Sequence, residues 1–72
     1  MTEQEIRDRV SYHPPSESGV RRHAALSEVI AAAMMTVDEV CQDGREKSLA
    51  MTKLEEAKFW ASAGVARDPK TR

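Results

Sequence analysis

Residues 26–40, LSEVIAAAMMTVDEV, decide the fold of this 72-residue chain. Apolar side chains recur there at alternating spacings of four and three residues: Leu26, Ile30, Ala33, Val37 and Val40. On a helix this spacing forms one apolar stripe, as in the seam of a coiled coil. The stretch therefore predicts a long helix, over residues 19–42, that packs lengthwise against a second helix.

The second long helix is predicted over residues 44–67, after the break QDG. Asp43 and Glu46 have the spacing of a capping box that would begin it, and Asp68-Pro69 would end it. Its apolar stripe is Ala50, Leu54, Ala57, Ala61 and Val65. The two long helices are therefore expected to form an antiparallel hairpin.

A short helix and a stiff loop precede the hairpin. Thr2 and Glu5 have the spacing of a capping box, which predicts a short amphipathic helix over residues 1–10. The two prolines in SYHPPSES cannot continue a helix, so residues 11–18 are expected to form a loop.

Residues 1–72 are expected to form one all-α domain. Ser16 or Ser18 would cap the first long helix, because serine side chains accept hydrogen bonds from the free amides of a first turn. Residues 68–72 are predicted to be a frayed tail.

The short length and the few aromatic residues predict self-association. Only 4% of the residues are aromatic, and a chain of this size rarely gains more than about 3–5 kcal/mol from its own core. The single cysteine, Cys41, cannot form an intrachain disulfide. Apolar residues outside the two stripes, such as Met35, Phe59 and Trp60, exceed what one partner helix can cover. We expect them to pack against other copies of the chain.

The charge balance argues against general binding to nucleic acids or membranes. Eleven basic and twelve acidic side chains give a net charge of −1, which provides no attractive field for DNA, RNA or anionic lipid. The longest apolar run, residues 29–35, is too short to span a bilayer. The first residues lack the features of a secretory signal, so the expected location is the cytoplasm.

Residue types that could carry catalysis have no catalytic arrangement in the sequence. Cys41 could pair with His13 or His23, but nothing would orient the imidazoles. Glu55 and Glu56 are adjacent on a helix and point in different directions, so they form no acid–base pair. The two histidines lack metal-ligand spacing. We therefore expect no catalytic residue, no metal and no cofactor.

A cluster of side chains around the proline loop suggests a binding site. Tyr12 and His13 lie in the loop, and Arg21, Arg22 and His23 follow in the first turns of the next helix. An aromatic ring, guanidinium groups and free helix amides suit a small phosphorylated ligand that contains bases. The alternative is an aromatic residue that fixes the loop beside a solvated basic face.

Arg45 and Arg67 stand at opposite ends of the second long helix. By default they would form ion pairs at the helix ends, where Arg67 also suits the C-terminal dipole. If copies of the chain pack around a symmetry axis, each arginine repeats and forms a ring of like charges. Such a ring suits a cyclic polyanion.

These residues resemble a known family. The loop SYHPP, the basic stretch about ten residues later, and residues 44–67, GREKSLAMTKLEEAKFWASAGVAR, are similar to the helical hairpin domain of bacteriophage cyclic-nucleotide sponges. These sponges include the small anti-CBASS proteins and the C-terminal half of one class of Thoeris anti-defence protein. The resemblance covers about residues 11–67. It departs from the family pattern at Lys58, Ser62 and Gly64, where relatives usually have an apolar residue, asparagine and alanine.

The resemblance implies a function without catalysis, in the cytoplasm of the infected bacterium. Members of the family sequester the cyclic nucleotides that antiphage systems make, and they assemble as hexamers. Cyclic dinucleotides or cyclic ADP-ribose isomers bind between protomers, and cyclic trinucleotides bind near three-fold axes. By resemblance, Tyr12 would stack on a base, Arg22 would hold a phosphate or ribose, and Arg67 would serve the trinucleotide pocket.

Two other functions are compatible with the sequence. The chain could be a protein-interaction module, or a small phage regulator, that docks a partner helix on exposed side chains such as Phe59 and Trp60. It could also be an enzyme that degrades the same nucleotides, but the sequence offers no general base near a phosphate pocket.

Overall fold

The computed structural model describes residues 1–11 and 14–71. It contains helices α1 (Glu3–Val10), α2 (Glu17–Val40) and α3 (Arg45–Arg67), followed by a short 3₁₀ helix (Pro69–Thr71). The described part of the chain contains no β-strand, so the predicted all-α class is confirmed. None of these helices is both long and apolar enough to cross a lipid bilayer.

Helix α1 is a short element whose side chains are all exposed. Thr2 begins it as expected, because its hydroxyl oxygen accepts a hydrogen bond from the amide of Glu5 at 3.1 Å. Glu3 and Arg7, one turn apart, form an ion pair at 2.8 Å. Within the described residues α1 makes no contact with α2 or α3, so the hairpin is the structural unit.

Helix α2 starts two residues earlier than the sequence predicts. Ser16, rather than Ser18, is its cap, and the Ser16 hydroxyl accepts a hydrogen bond from the amide of Gly19 at 3.2 Å. The helix ends at Val40, where the amide of Cys41 still donates to the carbonyl of Val37 at 3.0 Å.

Helix α3 begins without the expected capping box. Gly44 is its first flanking residue, with φ at 149°, and no side chain caps the helix. The expectation for Asp43 was wrong because its carboxylate instead accepts a hydrogen bond from Lys47 Nζ at 2.9 Å. A residue with a side chain would be strained at Gly44, so the glycine makes the tight turn between the two long helices possible.

Helices α2 and α3 lie side by side and run in opposite directions. Lys47, near the start of α3, pairs with Asp38 near the end of α2 at 2.8 Å. At the other end, Arg22 near the start of α2 pairs with Asp68 just after α3, at 3.2 Å. These two ion pairs hold both ends of the hairpin in register.

The contact between α2 and α3 follows most of the predicted stripes. Half-buried apolar side chains from both helices meet there: Leu26, Ile30, Ala33, Val37, Ala50, Leu54, Ala61 and Val65. Val40 and Ala57, which the spacing also places in the stripes, are exposed, whereas Lys47 and Lys58 are half-buried. Burial within this chain therefore does not follow the apolar pattern at these positions, and long lysine side chains can bury their aliphatic stems while the charged group stays in water.

No apolar side chain in the described residues is fully buried, so this chain on its own has no closed core. Many large apolar side chains are exposed instead: Ile6, Val10, Val20, Val29, Met35, Val40, Leu49, Phe59 and Trp60. The rest of the described chain does not cover these side chains.

Candidate functional site

Three arginines predicted for the site lie at one end of the hairpin. Arg21 and Arg22 are in the second turn of α2, and Arg67 is the last residue of α3. The ion pair between Arg22 Nη1 and Asp68 Oδ2 brings the start of α2 beside the end of α3. We call this group, Arg21, Arg22 and Arg67, the arginine end.

The three guanidinium groups differ in how they are engaged. Arg21 makes an i,i+4 contact of 3.5 Å with Glu17, and both side chains are largely exposed. Arg22 contacts Asp68 through one nitrogen, at 3.2 Å. Arg67 is exposed and has no ion-pair or hydrogen-bond partner among residues 1–11 and 14–71. The arginine end therefore retains donors that can bind phosphate in a bidentate manner.

The proline loop reaches the same end of the hairpin. The amide of Ser16 donates a hydrogen bond of 2.9 Å to the carbonyl oxygen of Thr71. Tyr12 and His13, which the sequence predicts as ligand-binding residues, lie outside the described residues. Their roles stay predictions.

Arg45 does not join the other arginines within one chain. It begins α3, and Arg67 ends the same helix 22 residues later, about 33 Å away at 1.5 Å per residue. Arg45 is exposed and has no ion-pair partner in the part of the chain that the structure describes. Only a neighbouring copy of the chain could bring it to a shared site.

The C-terminal tail packs against α2, which corrects the expectation that it is frayed. We call residues 68–71 the tail clasp. Thr71 and Gly19 are the two buried residues of the described chain. The Thr71 hydroxyl lies within hydrogen-bonding distance of the carbonyl oxygens of Val65 and Asp68, and the Thr71 amide donates to Asp68 at 3.0 Å. The tail is therefore an ordered part of the arginine end.

Asp68 is a residue that sequence reasoning missed. It was interpreted only as a helix stop before Pro69. In the structure its Oδ1 accepts a hydrogen bond from the amide of Lys70 at 2.9 Å, and its Oδ2 contacts Arg22. Nothing in the sequence links positions 22 and 68, because the contact exists only once the hairpin has formed.

The opposite end of the hairpin holds a lysine clamp, formed by Lys47 with Asp38 and Asp43. Lys47 Nζ lies 2.8 Å from Asp38 Oδ1 and 2.9 Å from Asp43 Oδ1. Hydrogen bonds to Asp38 and Asp43 raise the pKa of Lys47, and the hydrogen bond and charge of Lys47 lower the pKa of Asp43. The clamp is fully engaged with its own chain, so its chemistry is structural.

The remaining nucleophilic and metal-binding residue types are dispersed. Cys41 is exposed at the end of α2, and His23 is half-buried near its start. No group of three histidine, cysteine, aspartate or glutamate side chains in the described ranges could hold a metal ion. The arrangement at the arginine end is suited to binding anions.

Comparison with known proteins agrees with this architecture. The family described as Acb2/Tad1, hairpin domain, matches residues 2–66 and so covers α2, all of α3 except its last residue, Arg67, and the arginines at positions 21, 22 and 45. No curated protein and no solved structure matches the chain. Because the family match spans nearly the whole sequence, the chain belongs to the Acb2/Tad1 hairpin domain family, the sponge family that its loop and second helix resemble.

Proposed function

We propose that the chain is a phage anti-defence sponge. A homohexamer would capture cyclic dinucleotides and cyclic trinucleotides, the messengers of CBASS-type immunity, in the cytoplasm of the infected bacterium. Membership of the Acb2/Tad1 hairpin family supports this proposal. Cyclic ADP-ribose isomers are a second class of ligand with the same combination of base, ribose and phosphates.

The observation that carries the proposal is the missing core. The hairpin leaves Phe59 and Trp60 about two-thirds exposed, and none of its described apolar side chains is buried. A chain of 72 residues gains stability most simply when identical copies cover these surfaces through closed symmetry. Assembly would repeat the arginine end once per protomer, so that several copies can face one cyclic ligand.

Cyclic dinucleotides would bind through stacking and charge. Tyr12 stands two residues before Pro14 in the sequence, and the proline loop joins α2 at the arginine end. Stacking contributes about 1–3 kcal/mol per base, and a hydrogen bond to a charged phosphate about 1.5–3 kcal/mol. Nanomolar binding needs about −12 kcal/mol, so several symmetric contacts of each kind are needed, in a preassembled site that reduces the entropy cost of association. Arg22 would bind phosphate or ribose, with Arg21 and His13 beside it.

Cyclic trinucleotides would bind near a symmetry axis, where the helix ends of several protomers come together. Arg67 has no ion-pair partner within the described chain, and it repeats in each protomer. A ring of arginines is unfavourable when empty and is neutralised by a cyclic trianion. Arg45, at the far end of α3, would contribute to such a ring only through assembly.

Capture without hydrolysis fits the side chains at the arginine end. The guanidinium groups bind anions but do not accept protons, because arginine stays protonated at physiological pH. Two carboxylates lie beside them: Asp68 is engaged by Arg22 and by the amide of Lys70, and Glu17 contacts Arg21. We therefore propose binding rather than turnover.

A thermal-shift panel tests the proposal. The probes are cyclic di-AMP, cyclic di-GMP and cyclic tri-AMP, with linear pApA as the control for charge alone. Ligand present at about 100 times its Kd stabilises the folded state by about 2.7 kcal/mol, which raises the melting temperature by several degrees. No shift with any cyclic probe would refute the capture of cyclic dinucleotides and cyclic trinucleotides.

The alternative function, a protein-interaction module, predicts a different result. Such a module would keep Phe59 and Trp60 exposed on a monomer and dock a partner helix there. Light scattering on the free chain separates the two functions. A discrete hexamer supports the sponge, and a monomer that ignores the cyclic probes supports the module.

A further inference from the structure

The tail clasp, residues 68–71, lies beyond the family match, which ends at residue 66. The clasp nevertheless contacts residues at the arginine end. The carbonyl oxygen of Thr71 accepts a hydrogen bond from the amide of Ser16, the N-cap residue of α2. The carboxylate of Asp68 contacts Arg22. The clasp is therefore placed to influence ligand binding without belonging to the matched region.

The Asp68 carboxylate is held from two sides. Its Oδ1 accepts the amide of Lys70, which fixes the carboxylate relative to the 3₁₀ helix, and its Oδ2 faces Arg22 Nη1 at 3.2 Å. The 3₁₀ helix in turn is fixed by the buried Thr71. Asp68 thus presents a rigid acceptor to Arg22.

The contact leaves most of the Arg22 guanidinium available. Only one of its nitrogens touches Asp68, and about half of the Arg22 side chain is exposed. A guanidinium carries five N–H donors, so the remaining donors can bind a phosphate while Nη1 stays on the carboxylate. Holding a long side chain in place before binding reduces the entropy lost when the ligand arrives.

We propose that Asp68 is a positioning residue for ligand binding: it holds the Arg22 guanidinium ready for a phosphate of a cyclic nucleotide. This inference rests on the proposed function. The opposite effect, in which the carboxylate competes with the phosphate for Arg22, predicts tighter binding when Asp68 is neutralised. The two effects have opposite signs, so the affinity of one variant distinguishes them.

The Asp68→Asn variant tests the proposal because it keeps the shape of the side chain. An amide has one acceptor oxygen, so if that oxygen stays on Lys70 the NH₂ group faces Arg22, donor against donor. We expect calorimetry with cyclic di-AMP to show about 2- to 10-fold weaker binding, the effect of one long side chain that must be immobilised on binding. Unchanged or tighter binding would overturn the proposal.

Glu17→Gln is the matched control. It removes the same charge from the same end of the hairpin, beside Arg21, where the contact is longer and more exposed. We expect it to leave the affinity within about 2-fold, because an isolated surface pair contributes little. A loss equal to that of Asp68→Asn would mean that the loss is not specific to the contact between Asp68 and Arg22, and would overturn the proposal.

A double-mutant cycle with Arg22→Ala shows whether Asp68 acts through Arg22. If it does, Asp68→Asn causes no further loss of affinity in the Arg22→Ala background. Additive losses would overturn the proposal. A purely structural role of Asp68 would lower the affinity in both backgrounds.

NMR relaxation of the Arg22 Nε–Hε group in the ligand-free protein measures how rigidly the guanidinium is held, and so tests positioning independently of any ligand. We expect its order parameter to fall in Asp68→Asn and to stay unchanged in Glu17→Gln. An unchanged value in Asp68→Asn overturns the positioning proposal. If the wild-type chain binds none of the cyclic probes, the proposed function fails, and the positioning role for ligand fails with it.

Discussion

A Cβ atom added at Gly19 would lie 2.5 Å from the carbonyl oxygen of Thr71. Real side chains do not approach a backbone oxygen this closely, so the tail can pack against α2 only because residue 19 is glycine. The same added atom would lie 3.1 Å from the Cβ of Pro15. Gly19 is therefore the point where the proline loop, α2 and the tail clasp meet.

We predict that Gly19→Ala destabilises the fold despite the better helix propensity of alanine. The propensity gain is at most about 1 kcal/mol, and an overpacked site costs about 1–3 kcal/mol. We expect a lower melting temperature and faster hydrogen exchange at the amide of Ser16, which the Thr71 carbonyl protects.

Gly64→Ala is the control for that prediction. Nothing lies within 4 Å of an added Cβ at position 64. We expect an unchanged or higher melting temperature. Equal destabilisation by both substitutions would show that the contact with Thr71 does not matter.

Lys47→Met should destabilise the hairpin and make its stability less dependent on pH in the acid range. The pKa of Asp43 lies below its ordinary value of 3.8 because of Lys47, so this pair stabilises the fold above that pH. The contribution is lost as the pH falls through the lowered pKa. The pKa of Lys47 lies above 10.5, so its contribution is lost only above that pH.

The measurement is the melting temperature of Lys47→Met and of the wild type from about pH 2 to pH 7. We expect the wild type to lose its advantage of a few degrees at the acid end. Lys53→Met is the control, because Lys53 makes only an exposed contact of 3.5 Å with Glu56. A similar loss in both variants would contradict a special role for the lysine clamp.

Tyr12→Ala should abolish tight binding of cyclic dinucleotides and leave the assembly intact. Each stacked base contributes about 1–3 kcal/mol, which corresponds to roughly 5- to 150-fold in affinity. Tyr12→Phe keeps the ring and should bind nearly as well as the wild type. Calorimetry that shows the same affinity for Tyr12→Ala and the wild type would remove Tyr12 from the site.

Arg67→Ala should weaken cyclic trinucleotides more than cyclic dinucleotides. Each charge-assisted contact that is lost costs about 1.5–3 kcal/mol, or roughly 10- to 150-fold, for the ligand that Arg67 contacts. Arg67→Lys keeps the charge without the planar fork and should recover part of the affinity. Equal losses for both ligand classes would argue against two kinds of pocket.

The sequence predicts the helices well because their signals are local. The alternating spacing of Leu26, Ile30, Ala33 and Val37 reflects one helix face, and α2 and α3 lie close to their expected bounds. The capping box at Asp43 was wrong because a lysine one turn later competes for the same carboxylate. Local spacing alone does not predict which of two partners a carboxylate chooses.

The site was harder to predict because its contacts join distant residues. Arg22 and Asp68 are 46 positions apart, and the tail folds only because Gly19 leaves space for Thr71. A glycine in the first turn of a helix was the one available signal for this contact. The basic residues of the site were recognisable from their type, but their partners depend on the hairpin.

Native mass spectrometry of the purified chain with cyclic di-AMP and cyclic tri-AMP tests the central claim most directly. Six chains of 8.0 kDa give an assembly of about 48 kDa. The account predicts this hexamer with intact cyclic ligand bound, and release of unaltered ligand on denaturation. A folded monomer of 8.0 kDa that carries neither ligand would contradict it.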